Sequence, residues 1–178
     1  MPEMINAGDI VLKRWELAWA EELAGTVRAS LPELAPWMPW ANEAYDLDTA
    51  RLFIEVSDDA WDEGTAFQYA VFTAVGELVG SCGLMTRMGP GILEIGYWIH
   101  SDHAGRGYAT ALAGALARVA LATPGIDRAG IRHDAANSAS GRVAAKAGFT
   151  EVGLVERDPE APGESGFHVV WELARPEP

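Results

Sequence analysis

A glycine pair stands where an apolar strand pattern turns into a helical one. The run Leu93-Glu94-Ile95-Gly96-Tyr97-Trp98-Ile99 leads through Ser101-Asp102-His103 to Ala104-Gly105-Arg106-Gly107-Tyr108-Ala109-Thr110, and an Ala- and Leu-rich helical pattern follows. Gly105 and Gly107 open backbone conformations closed to residues with a Cβ and keep side chains off the main chain. The first N–H groups of the helix lack intrahelical partners and carry the positive end of its dipole. The turn is therefore a candidate anion site, suited to a phosphate or pyrophosphate, although glycines of purely structural use give the same pattern. No Gly-Lys-Ser/Thr and no complete Gly-x-Gly-x-x-Gly accompanies it, which excludes the P-loop and the dinucleotide fingerprint. Glu94 is the second chemical candidate. It is an acidic side chain in an otherwise apolar strand, on one face with Gly96 and Trp98, and it is either a functional carboxylate or a solvated residue near a strand end.

Further on, Asn137-Ser138-Ala139-Ser140-Gly141-Arg142-Val143-Ala144-Ala145-Lys146-Ala147-Gly148-Phe149 reads as a short helix that Asn137 caps and Gly148 ends. Three segments together, the strand ending Gly-Tyr-Trp-Ile, the Gly-Arg-Gly-Tyr-Ala-Thr loop and Asn-x-x-Ser-x-Arg-Val-Ala-x-Lys-x-Gly-Phe, resemble the GNAT superfamily of acyl-CoA N-acetyltransferases. Within it they most resemble the RimJ/RimL branch, which acetylates the N-termini of ribosomal proteins. The likeness extends over nearly the whole chain and includes Leu31-Pro32-Glu33-Leu34-Ala35-Pro36-Trp37-Met38-Pro39-Trp40.

The resemblance implies an α/β (α+β) GNAT fold and acetyl-CoA as co-substrate. The backbone of Gly105, Arg106, Gly107, Tyr108, Ala109 and Thr110 would hold its pyrophosphate, and the strand edge at Trp98 and Ile99 its pantetheine arm, with Asn137 and Arg142 assisting. A family bulge, for which Gly96 is the plausible place, would splay this strand from the next and open a slot for the thioester, with an N–H near Ile99 facing the oxyanion. Glu94 becomes the candidate base for the amine, through water. Ser140 becomes the candidate acid for the thiolate, since the tyrosine many relatives carry four residues later is Ala144 here. Asn137 and Ser140 also have plain readings as helix-start hydrogen bonders. The family often has Gln or Arg where Ala104 stands, which removes one side-chain contact. Trp37 and Trp40 lie in the region that covers the acceptor, where packing helices onto the sheet is an equal use for them.

Around these residues the pattern predicts a mixed, largely antiparallel sheet of six or seven strands with helices on both faces. Ile10 to Trp15 opens the sheet, a helix covers Leu17 to Ala29, and a second begins at Asp46 or Asp48 and ends near Trp61. Strands follow over Ala66–Ala74, Leu78–Met88 and Ile92–His100. A helix over Arg106–Leu121 then crosses to a parallel strand over Ala129–Asp134. Phe149–Arg157 and Phe167–Leu173 make a terminal hairpin, and Arg175–Pro178 a tail.

The 178 residues suffice for one domain, spanning 1–178, and 49% hydrophobic with 22% charged residues is the balance of a soluble globular protein. No apolar run is long enough for a membrane span, and Met1-Pro2-Glu3-Met4 does not start as a signal peptide does, so a cytoplasmic location is expected. The net charge of −13 repels nucleic acid and anionic membranes and suits a cationic amine acceptor, or serves solubility alone. An anionic cofactor would then need local cations, for which Arg106, Arg142 and Lys146 are candidates. The single Cys82 lies in a strand pattern with no activating partner nearby, which favours direct transfer over an acyl-cysteine. His100 and His103 lack further ligands at metal spacing, so no metal is expected. His133 is either an alternative base or an ordinary hydrogen bonder. The acceptor implied is a primary amine, foremost a protein N-terminus, ribosomal or other, with small amines, lysine side chains and a non-catalytic acyl-CoA-binding module as alternatives. A homodimer is compatible with the resemblance.

Overall fold

The computed structural model describes residues 1–175, so the expected tail lies outside the described residues from position 176 on. Eight strands form one sheet: β1 (Met4–Ala7), β2 (Ile10–Arg14), β3 (Ala66–Thr73), β4 (Leu78–Met85), β5 (Ile92–Ile99), β6 (Arg128–Asp134), β7 (Thr150–Glu156) and β8 (Phe167–Ala174). Their spatial order is β1-β2-β3-β4-β5-β6-β8-β7, and β5–β6 is the parallel pair in an otherwise antiparallel sheet. The sheet exceeds the expected six or seven strands by β1. This strand is only four residues long, too short for a clear alternation, but it buries Ile5 and Ala7 and pairs with β2 across a two-residue turn at Gly8 and Asp9.

Among the described residues there are five α-helices: α1 (Ala20–Ala29), α2 (Leu31–Leu34), α3 (Leu47–Glu63), α4 (Tyr108–Ala122) and α5 (Ser138–Lys146). The stretch expected as one helix from Leu17 begins as a short 3-10 turn over Leu17–Trp19 with Leu17 exposed; Ala20, Leu23, Ala24 and Val27 carry the buried stripe. The side chain of Asp46 caps α3 by accepting from the Thr49 N–H at 2.9 Å, and Gly64, at φ 72°, ends it.

The core lies on the two faces of the sheet. Leu112 and Leu116 of α4 pack with Leu84, Ile95 and Ile131, whereas Leu23 and Val27 of α1 and Ala50 and Ile54 of α3 pack with Ala70, Phe72 and Trp98. Side chains alternate along a strand, so β5 presents Leu93, Ile95, Tyr97 and Ile99 to the α4 side and Glu94, Gly96 and Trp98 to the opposite side. Gly80 lets β4 close on β5 at this point, because a Cβ there would overlap the Trp98 carbonyl oxygen.

Asp134, at the end of β6, fixes the loop between β7 and β8. Its buried carboxylate accepts from the backbone N–H groups of Ala136 (2.8 Å), Ser165 (2.9 Å) and Gly166 (3.2 Å) and from the Ser165 hydroxyl (2.8 Å). The same loop reaches the proline-rich segment after α2, where the Gly163 N–H donates to the Pro36 carbonyl at 2.8 Å. Desolvation alone would raise the Asp134 carboxyl, but the donors from Ser165, Ala136 and Gly166 outweigh it and hold the group below its ordinary value. A depressed native value means that Asp134 stabilises the fold above the ordinary aspartate range, and the contribution is lost as pH falls through the native value. Asp134→Asn is therefore expected to cost roughly 2–3 kcal/mol at neutral pH. In urea titrations that difference from the wild type should shrink once the pH drops below about 4, the ordinary aspartate value.

Candidate active site

The parallel pair does not stay together. β5 and β6 pair only through Ile92↔Arg128, Leu93↔Ala129 and Glu94↔Gly130. Beyond that point β6 follows β8 as far as Asp134, and β5 follows β4 as far as Ile99 paired with Gly80. A cleft therefore opens along Ile95–Ile99, the strand edge expected to meet a pantetheine arm. The expected bulge at Gly96 is absent: the β4–β5 register runs unbroken through Gly83↔Gly96, and the irregularity lies between β3 and β4, at Val71/Phe72. The cleft opens where β5 and β6 splay apart, each still held on its outer edge, by β4 and β8, with no extra residue in β5. Gly96 instead serves packing, because the Met85 methyl end lies where a Cβ would go.

On the side of α1 and α3, Glu94 is buried at 5% exposure, which replaces the solvated strand-end reading. The guanidinium of Arg132 donates to both of its oxygens, Nε to Oε1 at 3.2 Å and Nη2 to Oε2 at 2.7 Å, and Arg87 Nε adds a bond to Oε2 at 3.1 Å. Burial of a carboxylate is costly without such pairing. The Arg132 side chain is one-quarter exposed and that of Arg87 60% exposed, so Arg87 is the partner that solvent or another cation can replace. Sequence reasoning named neither arginine. Arg132 alternates with Gly130 and Asp134 along β6, but nothing local ties it to Glu94, 38 residues away.

On the α4 side, Asn137 accepts from the Ser140 N–H at 3.1 Å and so caps α5, and the Ser140 hydroxyl lies 2.9 Å from the Tyr97 hydroxyl. Burial pushes Tyr97 up to about 12, against the opposing effect of its hydrogen bond with Ser140. Tyr97 is the polar residue of the cleft that the strand pattern hides, since by alternation it counts as core. His133 stands near, with both nitrogens engaged: the Trp171 indole N–H donates to Nε2 at 2.9 Å, and Nδ1 donates to the Asp134 carbonyl at 2.8 Å. No lone pair remains to take a proton from an acceptor, so the hydrogen-bonding reading of His133 is the one the geometry supports. Burial also drives the Cys82 thiol well above its ordinary value.

The loop before α4 is tied down from both sides. Ser101 donates its N–H to Ser30 Oγ (3.2 Å) and its hydroxyl to Glu33 (2.7 Å), and His103 Nε2 is 3.1 Å from Glu77 Oε1. Gly105 and Gly107 follow at φ 77° and 84°, and Gly107 is the N-cap of α4 with no side chain to satisfy the amides behind it. The helix thus starts at Tyr108, two residues later than expected. A Cβ on Gly105 or Gly107 would touch nothing within 4 Å, and the amides of Tyr108, Ala109 and Thr110, in the first turn of a helix without a side-chain cap, lack intrahelical partners, as a pyrophosphate cradle requires. Arg106 folds back on the Asp102 carbonyl at 3.2 Å, and Arg142 is exposed on α5 with a bond to Ser138 at 3.1 Å. Of the two tryptophans assigned to the acceptor, Trp40 lies 6.2 Å from Trp98, its ring tilted by 53°, beside the cleft, whereas Trp37 is half-buried in the proline-rich segment. Among the described residues no group of three or more His, Cys, Asp or Glu gathers for a metal ion.

A sheet parted at its parallel pair, with an uncapped glycine turn heading the next helix, defines a transferase that takes an acyl group from a CoA thioester. Residues 9–150 match the acetyltransferase (GNAT) domain model, and the chain belongs to that family; it is an acetyl-CoA-dependent N-acetyltransferase. Comparison with curated protein sequences gives no significant match. Solved structures share the fold. Microcin C7 self-immunity acetyltransferase MccE, in complex with acetyl-CoA and AMP, has 21% identity and a TM-score of 0.89 over 98% of each chain. RimL, the ribosomal L7/L12 α-N-protein acetyltransferase with coenzyme A, has 20% identity and 0.88 over 97% of this chain and 98% of that one. Mycobacterium smegmatis RimJ, with CoA-disulfide, has 22% identity and 0.86 over 97% and 88%. No described helix is long and apolar enough to cross a membrane.

Gly107→Glu places bulk and a negative charge on the cradle at a left-handed backbone position. Calorimetry is expected to show loss of CoA binding of at least roughly tenfold, with the sheet intact by circular dichroism.

Proposed function

We propose that the chain acetylates the N-terminal amine of a protein or peptide in a ternary complex, with Glu94 as base and Ser140 as acid. The observation that carries this reading is the cleft itself. It has a buried carboxylate on the α1–α3 side and a hydroxyl pair on the α4 side, so amine and thioester can approach the same opening from opposite faces of the sheet. Two separate approaches need no acyl-enzyme, and Cys82 is too deeply buried to form one. The pyrophosphate would rest on the amides from Gly105 to Thr110, beside Arg106, with Arg142 and Asn137 near the far end of the arm. Bound there, acetyl-CoA supplies the acetyl group and the leaving thiol.

The acceptor ammonium takes the place of Arg87 at Glu94 Oε2 and gives its proton to that carboxylate directly or through water. Arg132 stays, and holds Glu94 in its rotamer. Trp40 on Trp98 forms an aromatic wall beside this position, and Glu43 and Glu160 line a nearby hollow of about 490 Å³ between the proline-rich segment and the β7–β8 loop. Negative charge on this side favours a cationic acceptor. The cytoplasm, where unmodified protein N-termini are made, is the matching location. For assembly, a second copy would pair at β7, the last strand in the sheet order, where Val152, Leu154 and Val155 are exposed; sedimentation velocity distinguishes dimer from monomer.

Isotopically labelled acetyl-CoA and a proteome-derived peptide pool test the acceptor. Label on α-amines supports the reading; label on lysines, or only on polyamines, aminoglycosides or amino acid derivatives added alongside, replaces it with those acceptors. CoA binding without any transfer replaces it with a binding module. Glu94→Gln is expected to lower kcat by roughly a hundredfold with little change in KM for acetyl-CoA. Arg87→Ala is expected to lower KM for the amine, since the competing cation is gone.

A further inference from the structure

Ser140 has a partner that changes what it can do, an inference that rests on the acid role just given to it. Tyr97 leaves β5 beyond the last β5–β6 pair, and its hydroxyl meets Ser140 Oγ at 2.9 Å on α5, the helix that follows β6. The hydrogen bond therefore crosses the cleft. Either hydroxyl can donate in this bond, and the Tyr97 hydroxyl also lies 3.5 Å from the Ser140 carbonyl oxygen. Ser140 Oγ has no other hydrogen-bond partner among the described residues, so when Tyr97 donates to it the Ser140 proton is free to point into the opening. An aliphatic hydroxyl is a very weak acid, close to water itself. A phenol, ordinarily about 10, is far closer to a thiol at about 8.5. Even raised to about 12, Tyr97 remains the better proton source and stays protonated at neutral pH.

We propose that Tyr97 is the proton source behind Ser140 and acts through it as a positioning residue. As the C–S bond breaks, sulfur takes the Ser140 hydroxyl proton while Ser140 takes the Tyr97 proton. The amine nitrogen forms the new C–N bond and loses one proton on the Glu94 side, and Tyr97 regains its proton from solvent. Counted from the ammonium, two protons leave nitrogen, the first through Glu94 to solvent before attack and the second on the Glu94 side as the C–N bond forms; one proton arrives at sulfur, and nothing is oxidised or reduced.

The same two hydroxyls stabilise the thiolate of bound CoA, so the test needs CoA alone and no acceptor. The thiol of CoA bound to the wild type, Tyr97→Phe, Ser140→Ala and the double variant is titrated by the ultraviolet absorbance of its thiolate. At a fixed pH the wild type is expected to carry roughly tenfold more thiolate than Tyr97→Phe. Ser140→Ala should lose as much, and the double variant no more. 3-Fluorotyrosine at position 97, a stronger acid of nearly the same shape, should raise the thiolate fraction above the wild type; this decides the matter even where Tyr97→Phe does not fold. Identical titrations in wild type and Tyr97→Phe, additive losses, or no response to fluorination overturn the proposal. Failure of the acceptor reading is separate: it shows as no α-amine label, and leaves the thiol titration as it is.

Discussion

The parting of β5 and β6 is the constraint on which the rest depends. A parallel pair inside an antiparallel sheet needs a long crossover, here through α4, and the crossover brings the uncapped start of that helix to the end of β5. After Glu94 the facing edges of β5 and β6 no longer pair, while on their other edges β5 stays with β4 and β6 with β8 to their ends. The separation frees a strand edge, exposes both faces of the sheet to one opening, and sets the glycine turn above it. None of these three consequences comes from a catalytic side chain. They come from the divergence of two neighbouring strands that are each held on the outer edge.

Charge is then distributed around the opening against the net charge of the chain. With 26 acidic residues to 13 basic ones, the protein as a whole is a poor host for a polyanion. Backbone amides at the head of α4 meet this difficulty, since their partial charges are fixed by the fold and need no lysine or arginine. Two arginines at the cleft, Arg87 and Arg132, are spent on Glu94. Their pairing keeps a buried carboxylate tolerable, and the difference in exposure between Arg87 and Arg132 makes one partner exchangeable and the other fixed.

Much of this was legible in the sequence because it is local. The Asp46 cap, the Asn137 cap, the glycine turn and the strand run from Ala66 to Ile99 follow from propensities and spacing within a few residues. The family followed from motifs in order. What stayed hidden was decided at a distance or by short elements. β1 is too brief to show a period. Gly96 looks like a bulge residue until Met85 is seen filling its space. Glu94 cannot announce that its partners are 7 and 38 residues away, and Tyr97 reads as core until α5 delivers Ser140 to its hydroxyl.

The alternation of β5 has a consequence for how such a protein changes over generations. Its even-numbered positions, Glu94, Gly96 and Trp98, face the α1–α3 side, proposed above for the amine, and its odd-numbered positions, among them Tyr97 and Ile99, face the α4 side, proposed for the thiol. The two selectivities are interleaved on one strand yet physically insulated by the thickness of the sheet. A lineage can exchange one acceptor for another by drift at even positions and in the loops above them, while the odd positions, and the handling of the thioester, are inherited untouched.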